Sequence, residues 1–253
     1  MKTNVLAIFA VSITLGLVSA EIKGYPDGPK LPGGKYSVHD PARPQPPMVE
    51  TAGALASKPP SDAVVLFDGT SLDAWSPGWV IKEGAMVATG KGIKSNQSFG
   101  AIQMHLEWRV PAGRKVDGQG GGNSGVFLMG LYEVQILQSH TNPTYPDGQA
   151  GSMYGQLPPL VNATSPQGEW NSYDIAFEPP VYADGKMVKP AKLSLMHNGV
   201  YVQNGELYLG PTQHQKLASY PATHPETAPI SLQFHGDPIE FRNFWVRPLG
   251  NRP

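Results

Sequence analysis

The sequence contains no cysteine, which excludes a disulfide framework, a thiolate zinc centre, a cysteine nucleophile and a lipidated N-terminal cysteine. Charge is scarce too: Lys, Arg, Asp and Glu make up 15% of the 253 residues and nearly cancel, for a formal net charge of -1. Attraction to a polyanion needs a clear basic excess, so nucleic acid is not an expected partner. No segment carries a helical period over three turns. The one long apolar run lies at the start, where Lys2 precedes Val5 to Val18 and small residues end at Ala20. This pattern predicts a secretory signal over residues 1–20, with no membrane-spanning stretch left after its removal. An exported chain without disulfides points to a bacterial envelope, in the periplasm or outside the cell.

Proline and glycine are plentiful, at 26 and 29 residues. Nine of the prolines fall within residues 21–61, where no apolar period develops, and that composition predicts a semi-extended linker. Residues 62–253 are then enough for one domain with a real core. Within it, short alternating runs are separated by Gly, Asn, Asp and Pro. Ile102, Met104, Leu106, Trp108 and Val110 alternate with Gln103, His105, Glu107 and Arg109, which gives a strand with one buried and one polar face. His105 and Glu107 are expected on the surface. Trp79–Thr89 reads as a hairpin around Glu83-Gly84, and Leu193–Gln203 breaks at the turn His197-Asn198-Gly199. Two further strands, over 230–235 and 239–247, are joined through Gly236-Asp237-Pro238. The fold class expected is all-β, a two-sheet antiparallel sandwich of jelly-roll type. Two long loops, 140–168 and 204–228, are expected to be functional because structureless loops of that length in a compact domain commonly are.

The middle of the chain, Gly122–Ser139, reads as two strands that reverse at Gly130. Val134 and Ile136 alternate with Glu133 and Gln135, which sends the aliphatic pair to the core and the acid and amide to the other face. Gln233 and His235 share a face in the same way. Arg242 and Asn243 are adjacent, so they share a face only if a bulge intervenes.

Leu66-Phe67-Asp68-Gly69, Asn123-Ser124-Gly125-Val126-Phe127, Tyr132-Glu133-Val134-Gln135-Ile136-Leu137, Gly168-Glu169-Trp170-Asn171, His197-Asn198-Gly199-Val200 and Leu232-Gln233-Phe234-His235-Gly236, followed by Phe241-Arg242-Asn243, occur in that order. This ordered set resembles the 3-keto-disaccharide hydrolase domain family. The resemblance implies a concanavalin A-like jelly roll and cleavage of glycosides whose sugar is oxidised to the 3-ketone. It also marks Leu131, Gln138 and Phe234 as departures, since relatives often carry charged residues there.

A ketone at C3 acidifies the hydrogen at C2. Its removal gives an enolate that can expel the aglycone from C1 before water adds. Glu133 is the candidate base or, alternatively, the best candidate metal ligand; His235 could shuttle the proton or polarise the ketone; Arg242 offers a fixed charge for the enolate. Asn123, Gln135, Gln233 and Asn243 supply donors and acceptors for sugar hydroxyls. No cofactor is evident, although a divalent cation on Glu133 is chemically reasonable. The expected partner is a carbohydrate substrate, and the oligomeric state is left open. The alternative is a non-catalytic carbohydrate-binding module on the same fold. An ordinary retaining glucanase ranks last, because Gln135 and Gln138 stand where its further acids would be needed.

Overall fold

A computed structural model describes residues 22–250; the signal segment expected over residues 1–20 lies outside them. Fourteen strands form: β1 Val64–Phe67, β2 Val80–Lys82, β3 Ala85–Val87, β4 Ile93–Phe99, β5 Ile102–Arg109, β6 Ser124–Leu128, β7 Tyr132–Ile136, β8 Asn171–Glu178, β9 Val181–Ala183, β10 Lys186–Lys189, β11 Lys192–His197, β12 Val200–Leu207, β13 Ala228–Leu232 and β14 Glu240–Pro248. The large sheet runs β12-β11-β8-β5-β14-β3-β2, with β1 sharing the far edge of β14, and the small sheet runs β4-β13-β6-β7. Strands β9 and β10 form a separate hairpin. Every pairing is antiparallel, and the two sheets stack as the expected sandwich. Among the described residues no helix is long and apolar enough to cross a membrane.

Alternation decides the faces. From the large sheet Ile102, Met104, Leu106, Trp108, Ile175, Phe177 and Phe241 point inward; from the small sheet Val126, Val134, Ile136, Ile230 and Leu232 meet them. Turn chemistry sets the registers. Glu83-Gly84, Asp184-Gly185 and Asn198-Gly199 adopt positive φ at both central positions, the geometry that two-residue hairpins favour, while the β6–β7 loop has three residues with positive φ at Met129 and Gly130. The strands around Gly236-Asp237-Pro238 behave differently, because they do not pair with each other. β13 joins the small sheet and β14 the large one, so this connection crosses from one layer to the other.

The proline-rich segment is not a free linker. Val38 and His39 are fully buried, Leu31 nearly so, and the segment runs along the domain through many hydrogen bonds. Val49 N donates to Asn162 O at 2.9 Å and Leu55 N to Ser172 Oγ at 3.0 Å, while Ser57 O accepts from Asn243 Nδ2 and Trp245 Nε1. Proline removes backbone donors and favours extended chain, which excludes sheet membership but not packing. Composition did not foretell these contacts. His105 and Glu107, expected at the surface, are buried: His105 stacks on Trp245, and Glu107 is bonded to Arg242 and Asn243, while the arm's Ser57 O accepts from Asn243 and Trp245.

Candidate active site

The site is built on the outer face of the small sheet. In the β6–β7 hairpin Gly125 lies opposite Gln135 and Phe127 opposite Glu133, and Gln233 N donates to Gly125 O at 3.0 Å just beyond β13. With the aliphatic partners turned into the sandwich, Phe127, Glu133 and Gln233 face a cleft of about 910 Å³. Its walls come from loops on all sides. Gln119 and Asn123 precede β6, Thr144, Tyr145 and Tyr154 come from the first long loop, and Thr212 and His214 from the second. Both long loops therefore contribute to the cleft, as their length led one to expect.

Glu133 is the chemically distinctive group. Only 4% of the residue is exposed, and among the described residues no cation pairs with it. Its backbone is fixed on both sides: Glu133 N donates to Thr212 Oγ1 at 3.0 Å, and Glu133 O accepts from Tyr154 N and Tyr208 Oη. The side chain folds back over Gly125, where a Cβ would collide with Oε1, so any other residue here would displace the carboxylate; the backbone angles do not call for glycine. Burial without a compensating charge pushes the Glu133 pKa up to about 8. Gln135 is fully buried beside it, next to the amides of Gln119 and Asn123. With its amide oriented to satisfy its neighbours, Gln135 Nε2 donates to Ser124 O at 2.9 Å and lies 3.3 Å from Glu133 Oε1.

A run of hydroxyl and imidazole groups lines the opposite wall. Tyr145 and Tyr154 share a 2.8 Å hydrogen bond, and the Tyr154 hydroxyl lies 3.1 Å from His214 Nδ1. Burial, aided by the nearby His39 and His235, keeps His214 below the usual histidine range. Burial and Glu133 raise the Tyr154 pKa, although the bond to Tyr145 opposes them. His235 lines the cleft and is exposed to it.

Four residues expected at the site, Asn123, Glu133, Gln233 and His235, thus meet at one cleft, with Gln135 packed behind them. Arg242 and Asn243 do not join them, because β14 lies in the other sheet. A bulge does occur between Arg242 and Trp245, with Asn243 at φ 46°, and it turns both residues to the outer face of the large sheet. There Arg242 Nε donates to Glu107 Oε2 at 2.7 Å, Asn243 Nδ2 donates to Glu107 Oε1 at 2.9 Å, and the guanidinium stacks 4.1 Å from the Trp170 ring. Burial alone would raise the Glu107 pKa; the His105 ring 3.8 Å away and the bonds from Asn243 and Arg242 outweigh it and hold the group at about 2. The crossing that puts β14 in the other sheet from β13 has no sequence signature. Tyr154 and His214 were missed because they lie in loops without period, and Lys23 and Tyr25 because they belong to the arm.

Residues 62–247 match the 3-keto-alpha-glucoside-1,2-lyase-like domain. The chain belongs to that family. Membership makes it a glycoside-acting enzyme, and the relatives agree. It is similar to a 3-keto-disaccharide hydrolase of Bacteroides thetaiotaomicron, at 22% identity over 74% of this chain and 78% of that protein. A crystal structure from Parabacteroides distasonis, of a protein provisionally assigned as a glycosyl hydrolase, is 39% identical with a TM-score of 0.73, covering 82% of this chain and 94% of the other. A second structure from that organism, at 22% identity and a TM-score of 0.54, shares the fold. The Arg242 network lies within the family domain yet away from its cleft.

Proposed function

We propose that the cleft cleaves 3-keto-glycosides or 3-keto-disaccharides by proton abstraction at C2, with Glu133 as the base. One observation carries this reading: a carboxylate at the floor of a sugar-sized cleft, free of any cation among the described residues, with its pKa raised to about 8. A carboxylate of ordinary basicity would be a poor match for a carbon acid, and a raised pKa narrows the gap. The ionised Glu133 takes the C2 proton, and the C–H electrons move into the enolate on O3. Collapse of the enolate breaks the C1–O bond, and the aglycone leaves as an alcohol after receiving a proton from His235. Water then adds at C1 of the enone, His235 recovers its proton from that water, and Glu133 returns the first proton to C2. Asn123 and Gln233 hold the sugar hydroxyls, while Gln135 acts from behind by orienting the Glu133 carboxylate. A binding module would have no use for a buried, unpaired carboxylate, whose burial costs stability.

The same floor offers one carboxylate and the amide oxygens of Asn123 and Gln233 to a hard divalent cation, which would polarise the ketone. Among the described residues no three His, Asp or Glu side chains converge as a ligand set, so Glu133 is assigned here to proton transfer. Export to the periplasm or the medium completes the proposal, and cell fractionation tests it.

The deciding experiment incubates the protein with a 3-keto-disaccharide and with its unoxidised parent. Aglycone release from the ketone alone, with deuterium entering C2 in heavy water, is the expected result. Glu133→Gln should lower turnover about 10²-fold or more. Equal release from both sugars would establish ordinary hydrolysis instead, and affinity without turnover would establish a binding module.

A further inference from the structure

Part of the cleft wall comes from outside the family domain. Lys23, Gly24 and Tyr25 line it, although the match to the family begins at residue 62. The question is whether this contribution is fixed or incidental. Three features fix it.

First, the arm is latched to the loop that forms the neighbouring wall. Asp147 is fully buried two residues after Tyr145; it accepts a bond from His39 N at 3.0 Å, lies 3.2 Å from His39 Nδ1, and has Arg43 at 3.8 Å. Arg43 also donates to Gln156 O at 3.1 Å. Second, the His39 ring is buried against Tyr145 and Tyr154, with centroids 4.3 and 4.7 Å away, and lies 5.2 Å from His214. His39 holds φ at 60°, a costly angle for a residue with a side chain, and such strain persists only where the surroundings enforce it. Third, residues 23–25 are clamped directly on this latch. Tyr25 N donates to His39 O at 2.9 Å, and a Cβ on Gly24 would come within 2.6 Å of the same oxygen, so only glycine lets the chain lie so close.

Clamped in this way, Lys23 and Tyr25 stand at the mouth of the cleft. Tyr25 is 39% exposed and meets His214 edge-on at 5.8 Å, leaving an aromatic face open beside a flexible cation. Glu133 lies at the floor, and the reacting sugar must bring its C2 there. The part of the substrate that extends away from that floor meets the mouth.

We propose that Lys23 and Tyr25 are specificity-determining residues that contact the aglycone half of the substrate, and that the His39–Asp147 latch positions them. The assignment rests on the reading of Glu133 as the catalytic floor. Tyr25 offers its face to the C–H face of a second sugar ring, and Lys23 donates to its hydroxyls. The cleft is therefore completed by a segment that the family domain alone does not contain.

The test uses the full chain in the Glu133→Gln background and measures affinity by calorimetry for a 3-keto-disaccharide and for methyl 3-keto-glucoside. Lys23→Ala with Tyr25→Ala should weaken the disaccharide about tenfold or more and the methyl glycoside less than about threefold. Both residues are exposed, so the melting temperature should not move. His39→Ala, which removes only the ring side of the latch, should weaken the disaccharide selectively too, and in the active enzyme it should raise KM more than it lowers kcat. Equal weakening of both ligands, or none of either, would overturn the proposal. Undiminished turnover by Glu133→Gln would instead sink the catalytic reading, while a selective loss in the arm variants would still place the aglycone at this mouth.

Discussion

If Glu133 is the base, as proposed, one residue couples the function of this protein to its stability. Its pKa is near 4.5 in an unfolded chain and about 8 in the folded one, so the folded state binds the proton more tightly. The stability associated with that proton is complete below about pH 4.5 and is lost as pH rises through 8. Catalysis runs the opposite way, because only the ionised carboxylate is a base. The acid limb of kcat/KM should therefore titrate near pH 8, and Glu133→Gln should melt above the parent at pH 8, with the difference vanishing at pH 4.5. The ceiling on that gain is roughly 5 kcal/mol. A kcat/KM that is flat from pH 6 to 9 would remove Glu133 as the base. Gly125 makes a second prediction at this scale. Gly125→Ala puts a methyl group where Glu133 Oε1 now lies, so the carboxylate must move while the strand stays paired. Turnover should fall about 10²-fold, since small misplacements of a reacting group carry that scale of cost, and circular dichroism should be unchanged.

At the scale of elements, the two sheets have divided their polar residues between different tasks. Outer-face positions of the small sheet open on the cleft. On the central large-sheet strands His105, Glu107, Asp174, Arg242 and Asn243 form one network, which the arm touches through Ser57 O and Asn243. Burial lowers and the carboxylates raise the His105 pKa, with a net rise, while Glu107 is held at about 2. The Glu107 contribution to stability is therefore present above about pH 4.5 and is lost as pH falls toward 2. Arg242→Met removes the charge that Glu107 faces, which should lower stability by about 1–3 kcal/mol and leave kcat/KM within about twofold. A loss of turnover without a loss of stability would return Arg242 to the site.

For the molecule as a whole, the arm packs on the domain, and the two are expected to melt as one folded unit. Deleting residues 22–61 strips the cover from Trp245 and the Glu107 network, exposes the surface under Val38, and removes the clamp beside Tyr145. The expected loss is roughly 3 kcal/mol or more, a fall of about 6–12 °C in melting temperature for a protein of this size. An unchanged melting curve would show that the arm is only a tether. The truncated protein should also lose affinity for the larger substrate, for the reason given by Lys23 and Tyr25.

The sequence by itself determined the all-β class, the strand faces, the hairpins at Glu83-Gly84 and Asn198-Gly199, and the polar face that bears Glu133. Each of these follows from local rules: a side-chain period of two, and turns that need positive φ. The family was legible as well, because its motifs recur in a fixed order. Only the tertiary structure decided which polar faces share a cleft. The crossing between β13 and β14 parted Arg242 from His235, though six residues separate them in sequence. Packing also turned a proline-rich stretch into a wall of the site. Proline specifies an extended backbone but not what that backbone lies against, and that depends on surfaces such as buried Asp147, which exist only once the sandwich has formed.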